Sequence, residues 1–225
     1  MTTRASRRAR VAGLYAVTPA IADTTALVRS VTAAIDGGAS VVQYRNKAAS
    51  AATARTQALA LARVAAARSA LFIVNDDARL AAEVDADGVH IGDDDGFVAA
   101  ARAIVGSERL IGVSCHDDYA HARAAVTSGA DYVAFGSFFE STTKPAAPRA
   151  DPALLARAAA LGVPVVAIGG ITSANARALI DAGADAVAVI ADVFAHEDAG
   201  AITQAATAIA TLFDAARNHP VARSA

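Results

Sequence analysis

Short apolar runs rich in Val and Ile alternate with longer Ala- and Leu-rich stretches, and the alternation occurs eight times along the chain. The apolar runs predict strands over 13–18, 41–46, 71–76, 87–91, 110–114, 132–136, 164–169 and 186–190. The stretches between and after them predict helices near 24–37, 51–69, 77–84, 97–105, 117–129, 151–161, 173–182 and 199–216. Runs such as Val163-Pro164-Val165-Val166-Ala167-Ile168 are apolar without interruption, which suits a parallel sheet covered on both faces. Eight strand–helix units in this length fit one domain of the α/β class, a closed (β/α)8 barrel.

An internal echo supports a barrel of like units. Asp85-Ala86-Asp87-Gly88-Val89, Gly129-Ala130-Asp131-Tyr132-Val133 and Gly183-Ala184-Asp185-Ala186-Val187 each lead into a strand. These segments lie at strand N-termini, the face of a barrel that serves stability rather than chemistry. Residues 1–10, with Arg4, Arg7, Arg8 and Arg10, are expected to form a basic, mobile arm. The barrel is expected over 11–217 and a frayed tail over 218–225.

Composition narrows the function classes. The hydrophobic fraction is 55%, but much of it is Ala, and the most apolar later region, Leu154 to Ile171, holds Arg157 and is cut by Gly162-Val163-Pro164. A membrane span is therefore not expected. A net charge of −2 gives no global pull toward nucleic acid. The single cysteine, Cys115, permits no internal disulfide and no cysteine metal cluster, which suits a reducing cytoplasm.

In such a barrel the chemistry gathers at the C-terminal ends of the strands. The second strand ends Gln43-Tyr44-Arg45-Asn46-Lys47, where alternation directs Gln43, Arg45 and Lys47 to one face. Two cations converging there call for an anion, unless the strand end is merely solvated. The third strand ends Asn75-Asp76-Asp77 and the fourth His90-Ile91-Gly92-Asp93-Asp94-Asp95. Asp76 and Asp95 could share Mg²⁺ with phosphate oxygens, whereas Asp77 and Asp93 or Asp94 also suit helix caps. Ser114 could donate to a phosphate, while His90 and His116 lack ligand spacing and read as structural. The sixth strand runs into Phe139-Glu140-Ser141-Thr142-Thr143-Lys144-Pro145, which reads either as an anion loop or as an ordinary polar loop. Gly169-Gly170 and Ile190-Ala191-Asp192 close the last two strands, where this fold habitually holds phosphate. No nucleotide-binding glycine motif is present.

Taken in order, Gln43-Tyr-Arg-Asn-Lys47, Asn75-Asp76, Gly88-Val-His-Ile-Gly92 with Asp95, Gly112-Val-Ser114, Ser141-Thr-Thr-Lys144-Pro and Ala167-Ile-Gly-Gly-Ile171 make the chain resemble the thiamine-phosphate synthase family from about Leu14 to Phe194. The resemblance implies condensation of a hydroxymethylpyrimidine diphosphate with a thiazole phosphate. It implies that Gln43, Tyr44, Arg45, Asn46, Lys47, Asn75, Ser114 and Lys144 hold the pyrimidine diphosphate, with Arg45, Lys47 and Lys144 clamping the leaving group. Asp76 and Asp95 would bind Mg²⁺. Ser141, Thr142, Thr143, Gly170, Ile190 and Ala191 would surround the thiazole phosphate. Asp93, Glu140-Ser141 and Ala191 stand where the family often has Gln, Pro-Thr and Ser. A thiazole tautomerase and a non-catalytic phosphate sensor are the rival expectations, and retention of the cations and carboxylates favours the synthase.

Overall fold

The computed structural model describes residues 3–92, 98–140 and 149–218. Eight strands close into a barrel in chain order: β1 (Gly13–Val17), β2 (Ala39–Tyr44), β3 (Leu71–Asn75), β4 (Gly88–Ile91), β5 (Leu110–Ser114), β6 (Tyr132–Phe135), β7 (Val165–Ile168) and β8 (Ala186–Val189). Every neighbouring pair is parallel, and β8 closes onto β1. The helices are α1 (Arg4–Arg8), α2 (Thr24–Asp36), α3 (Ala51–Ala67), α4 (Ala78–Glu83), α5 (Val98–Val105), α6 (Tyr119–Thr127), α7 (Ala153–Ala158), α8 (Ala176–Asp181), α9 (Ala191–Phe194) and α10 (Ala199–Asn218). The (β/α)8 barrel expected from the apolar pattern is thus the observed fold. Helix starts are fixed by side-chain caps: Asp23, Ser50, Asp77 and Asp118 each accept a backbone N–H from the first turn that follows.

Period-two alternation splits the strands into two cores. Outward residues such as Leu14, Val42, Phe72, Val89, Ile111, Val133, Val165 and Val187 pack beneath the helices. Inward residues, among them Tyr15, Val41, Leu71, Ile73, Leu110, Tyr132, Val166 and Ala186, fill the barrel interior. Gly112 makes room for the largest of these. A Cβ there would come within 2.0 Å of the Tyr132 ring, so the absence of a side chain on β5 is what seats that tyrosine.

The repeated Ala-Asp segments have a common job. Asp87, Asp131 and Asp185 sit just before β4, β6 and β8. Each donates its own N–H to the preceding odd strand, at the carbonyls of Phe72, Ile111 and Val165. Each carboxylate accepts an N–H in return, from Phe72 at 3.0 Å, Ile111 at 2.9 Å and Val165 at 2.8 Å. The pairs satisfy backbone donors where the ladders begin, on the face opposite the cavity.

Two short helices lie outside the expected set. α9 has four residues and α1 five, too few for a 3.6-residue period to register. The basic N-terminal segment contains α1, whose Arg4 Nε meets Asp131 at 2.5 Å and whose Arg7 Nε meets Asp87 at 2.8 Å. Arg102 of α5 reaches the other Asp131 oxygen at 2.6 Å. The second strand also differs from expectation, spanning 39–44 rather than 41–46. Its ladder stops because the N–H of Arg45 turns to Thr18 Oγ1 at 2.9 Å, so Arg45 and Lys47 sit on the loop beyond the strand.

Asp131 is 1% exposed and holds two guanidinium groups and a strand N–H. Asp131→Ala is expected to lower unfolding free energy by about 3 kcal/mol, because it breaks a buried ion pair from one side. Denaturant unfolding measures this. A loss below about 1 kcal/mol, the range of a surface pair, would contradict the assigned role.

Candidate active site

The C-terminal strand ends surround a cavity of about 570 Å³, within the range of small-molecule sites. The β2–β5 side supplies Gln43, Arg45, Lys47, Asn75, Asp76, His90 and Ser114. The β7–β8 side supplies Ile168, Gly169, Gly170, Ile171, Thr172, Ile190, Ala191 and Asp192. Lys47 Nζ lies 3.3 Å from Asp76, so a cation and a carboxylate share the first side. Asp76 adopts φ of 65°, with its N–H held by the carbonyl of His90 at 2.8 Å. Asp77, the adjacent carboxylate, caps α4 through the N–H of Leu80 at 2.8 Å.

The opposite side is mostly backbone. Gly170 has φ of 63°, and a Cβ there would come 2.2 Å from the carbonyl oxygen of Glu140 and 2.8 Å from Phe139. Only glycine meets both demands, a left-handed conformation and a close approach of two loops. Asn175 braces the turn by donating to the Gly170 carbonyl at 3.0 Å and accepting from Thr172 N–H at 2.8 Å. Asp192 accepts the N–H of Ser173 at 2.8 Å, tying the α9 start to the same turn.

Of the residues singled out from sequence, Gln43, Arg45, Lys47, Asn75, Asp76, Ser114, Gly170, Ile190 and Ala191 line one cavity. Tyr44 and Asn46 do not. Both alternate to the outer side of β2 and its loop, where Tyr44 Oη donates to Gln57 Oε1 at 2.9 Å and Asn46 Nδ2 donates to the same oxygen at 3.1 Å. Their place in the motif puts them in the expected set, and strand parity turns their side chains away from this cavity. Asp95, Ser141, Thr142, Thr143 and Lys144 lie outside the described residues.

Two side chains outside the expected set, Tyr15 and Tyr132, join His90 below the cavity, and His90 is hydrogen-bonded at both ring nitrogens, in keeping with a structural histidine. Gln43 Nε2 donates to Tyr15 Oη at 2.8 Å, and Tyr15 Oη meets Tyr132 Oη at 2.9 Å. Tyr132 Oη meets His90 Nδ1 at 3.2 Å, and His90 Nε2 meets Ser114 Oγ at 2.9 Å. Their inward parity on β1, β4 and β6, in otherwise apolar strands, was the available signal. Burial pushes the phenols of Tyr15 and Tyr132 well above their ordinary range.

The strand-end cavity thus has a wall of charged and polar side chains facing a wall built largely from the glycine turn, the arrangement of a (β/α)8-barrel small-molecule site. The chain matches the model of the thiamine monophosphate synthase family over residues 14–193 and belongs to that family. It is 54% identical over 188 residues to a thiamine-phosphate synthase of Methylobacillus flagellatus, covering 84% of this chain and 90% of that one. It is 51% identical over 196 residues to one of Chromobacterium violaceum, covering 87% and 95%. The solved structure of a thiamine phosphate pyrophosphorylase from Pyrococcus furiosus superposes with a TM-score of 0.82 at 31% identity, covering 93% of this chain and 98% of that one. Among the described residues, no helix is long and apolar enough to cross a membrane and no group of three His, Cys, Asp or Glu gathers.

Burial raises Tyr44 to about 12 as well. The folded state therefore keeps all three phenols neutral, whereas the unfolded chain ionises them near about pH 10. Unfolding releases protons above that pH, so stability should be intact below about pH 10 and fall as pH rises beyond it. In a Tyr119→Phe background, which leaves these three tyrosines alone, phenolate absorbance and far-ultraviolet circular dichroism should change together in an alkaline titration. Ionisation of all three buried tyrosines at about pH 10 with the fold intact would contradict the packing described.

Proposed function

We propose that this chain condenses 4-amino-2-methyl-5-hydroxymethylpyrimidine diphosphate with a thiazole phosphate, giving thiamine phosphate and releasing diphosphate. The observation that carries the reading is the two-sided cavity. One wall brings together Arg45, Lys47, Asn75, Asp76 and Ser114, and the facing wall is the Gly169-Gly170 turn with Ile190 and Ala191. Membership in the thiamine monophosphate synthase family supports it. The thiamine-phosphate synthases named above favour the synthase over the tautomerase and the sensor.

The chemistry follows from the walls. Arg45 and Lys47, joined by Lys144, clamp the diphosphate, and Ser114 and Asn75 donate to its oxygens. As the bond to the pyrimidine methylene breaks, negative charge grows on the departing diphosphate, and fixed cations stabilise that growth more than the ground state. The electron-rich aminopyrimidine carries the positive charge left behind. The thiazole phosphate is anchored at Gly170, Ile190 and Ala191 with Ser141, Thr142 and Thr143. This directs the ring nitrogen at the cationic carbon. Neither a covalent enzyme intermediate nor a strong general base is required.

Mg²⁺ fits the cationic wall. Asp76 offers the cavity a hard oxygen donor beside the proposed diphosphate position, and Mg²⁺ commonly takes one or two carboxylates with phosphate and water oxygens. Asp76 and Asp95 would hold it, and it would supply charge neutralisation to the diphosphate. Both substrates are small molecules, and a reducing cytoplasm suits the chain's lone buried thiol.

Purified protein supplied with both substrates and Mg²⁺ should form thiamine phosphate, and omission of either substrate should abolish it. No product under these conditions would overturn the reading. Asp76→Asn keeps the volume and removes the charge, so turnover should drop roughly 10²-fold, as for loss of one transition-state contact. Thermal stability should hardly change, because Lys47 is 64% exposed and Asp76 28% in their ion pair, which makes the pair worth under about 1 kcal/mol. Wild-type turnover of Asp76→Asn across a Mg²⁺ titration would contradict the metal assignment.

A further inference from the structure

Five inward side chains, from β1, β2, β4, β5 and β6, form one hydrogen-bonded line across the barrel beneath the cavity. It runs Gln43, Tyr15, Tyr132, His90, Ser114, with links of 2.8, 2.9, 3.2 and 2.9 Å. Tyr15 is 1% exposed, Tyr132 0% and His90 7%, so the middle of the line is shielded from bulk water. Both ends line the cavity, as do Tyr15 and His90, and Tyr132 lies below it.

Proton counting gives the line a direction. Tyr15 Oη accepts from Gln43 Nε2. Its own proton would be buried without an acceptor unless it goes to Tyr132, and an unmet buried donor is costly. Tyr132 then gives its proton to His90 Nδ1. That fixes the imidazole as the Nε2–H tautomer, whose proton goes to Ser114 Oγ. The Ser114 hydroxyl proton is left for the cavity. At the other end, with Nε2 engaged, Gln43 presents its carbonyl oxygen as an acceptor. Reversing any link reverses all of them, because each interior member holds a single proton for two neighbours. Gly112 is part of the device, since any side chain there would collide with the Tyr132 ring.

We propose that Tyr15 and Tyr132 are positioning residues: acting through Gln43 and His90, they fix an acceptor on β2 and a donor on β5, and so select a ligand with an amine at one end and an anionic oxygen at the other. This rests on the reading of the site given above and deepens it. An exocyclic aminopyrimidine nitrogen meets the Gln43 acceptor, and a diphosphate oxygen meets the Ser114 donor. The reversed line would offer the anion a lone pair and the amine another N–H. Tyr132 lies below the cavity and does not line it, whereas Tyr15 also borders it. Burial keeps both phenols protonated, so the line does not lose its protons over the working pH range.

The test has two arms. In the first, nitrogen-15 spectra of histidine-labelled wild-type protein, assigned with His90→Gln, should show His90 as a neutral Nε2–H tautomer. An Nδ1–H tautomer or a doubly protonated ring would overturn the proposal, whether or not the protein proves to be a synthase. In the second, pyrimidine diphosphate and thiazole phosphate are titrated separately into wild type, Tyr132→Phe, Ser114→Ala and the double variant. Tyr132→Phe removes one oxygen and should weaken pyrimidine diphosphate binding roughly tenfold, as for loss of a hydrogen bond to a charged group. Thiazole phosphate affinity should stay within about twofold of wild type, because its wall shares no member of the line. The double variant should be little weaker than Ser114→Ala alone, since the tyrosine acts through the serine. Additive losses, or equal losses for both ligands, would reduce Tyr132 to a packing residue. Should Tyr132→Phe not fold, Tyr15→Phe breaks the next link and carries the same expectation. A wild type that binds no pyrimidine diphosphate would sink the functional reading instead, and the tautomer would still decide the line.

Discussion

Everything in this molecule depends on closing eight short strands with strict inward–outward alternation. The strand bodies have four to six residues, so each contributes only two or three side chains to the barrel interior. The lower positions are taken by Leu71, Leu110, Val41 and Ala186, which make a packed floor. The inward positions at the C-terminal rim carry Gln43, Asn75, His90 and Ser114, which line the cavity. Parity decides membership of the site more firmly than closeness in sequence does. Gln43 faces the cavity, while Tyr44 beside it braces Gln57 in the helical layer.

The two ends of the barrel divide the work. At the N-terminal end, Asp87, Asp131 and Asp185 exchange hydrogen bonds with the preceding strands, and arginines from α1 and α5 neutralise the most buried of them. These three carboxylates are thus kept away from the cavity. At the other end Lys47 pairs with Asp76 at 3.3 Å, and Arg45 lines the same cavity. The glycine turn after β7 completes the rim with backbone.

The fold was legible because a parallel barrel writes itself into the sequence as apolar runs at regular spacing, and all eight strands emerged within two residues of their expected bounds. The strand-end rule likewise found the cavity-lining residues of β2, β3, β5, β7 and β8. What escaped did so for physical reasons. Helices of four and five residues, α9 and α1, are shorter than the window in which a helical period can be seen. Tyr15 and Tyr132 are 117 positions apart, and their contact exists only once β1 and β6 face each other across a closed barrel. His90 reads as structural and is hydrogen-bonded at both ring nitrogens, but its partners were not legible because Ser114 lies 24 positions away and Tyr132 lies 42.

The central claim is that one cavity holds two anions on opposite walls. A crystal structure of the protein with the unreactive product pair, thiamine phosphate and diphosphate, tests it most directly. Diphosphate is predicted against Arg45, Lys47 and Ser114, with the ester phosphate of thiamine phosphate against Gly170 and Ala191. A diphosphate seated on the glycine turn, or both anions crowded onto one wall, would contradict the account.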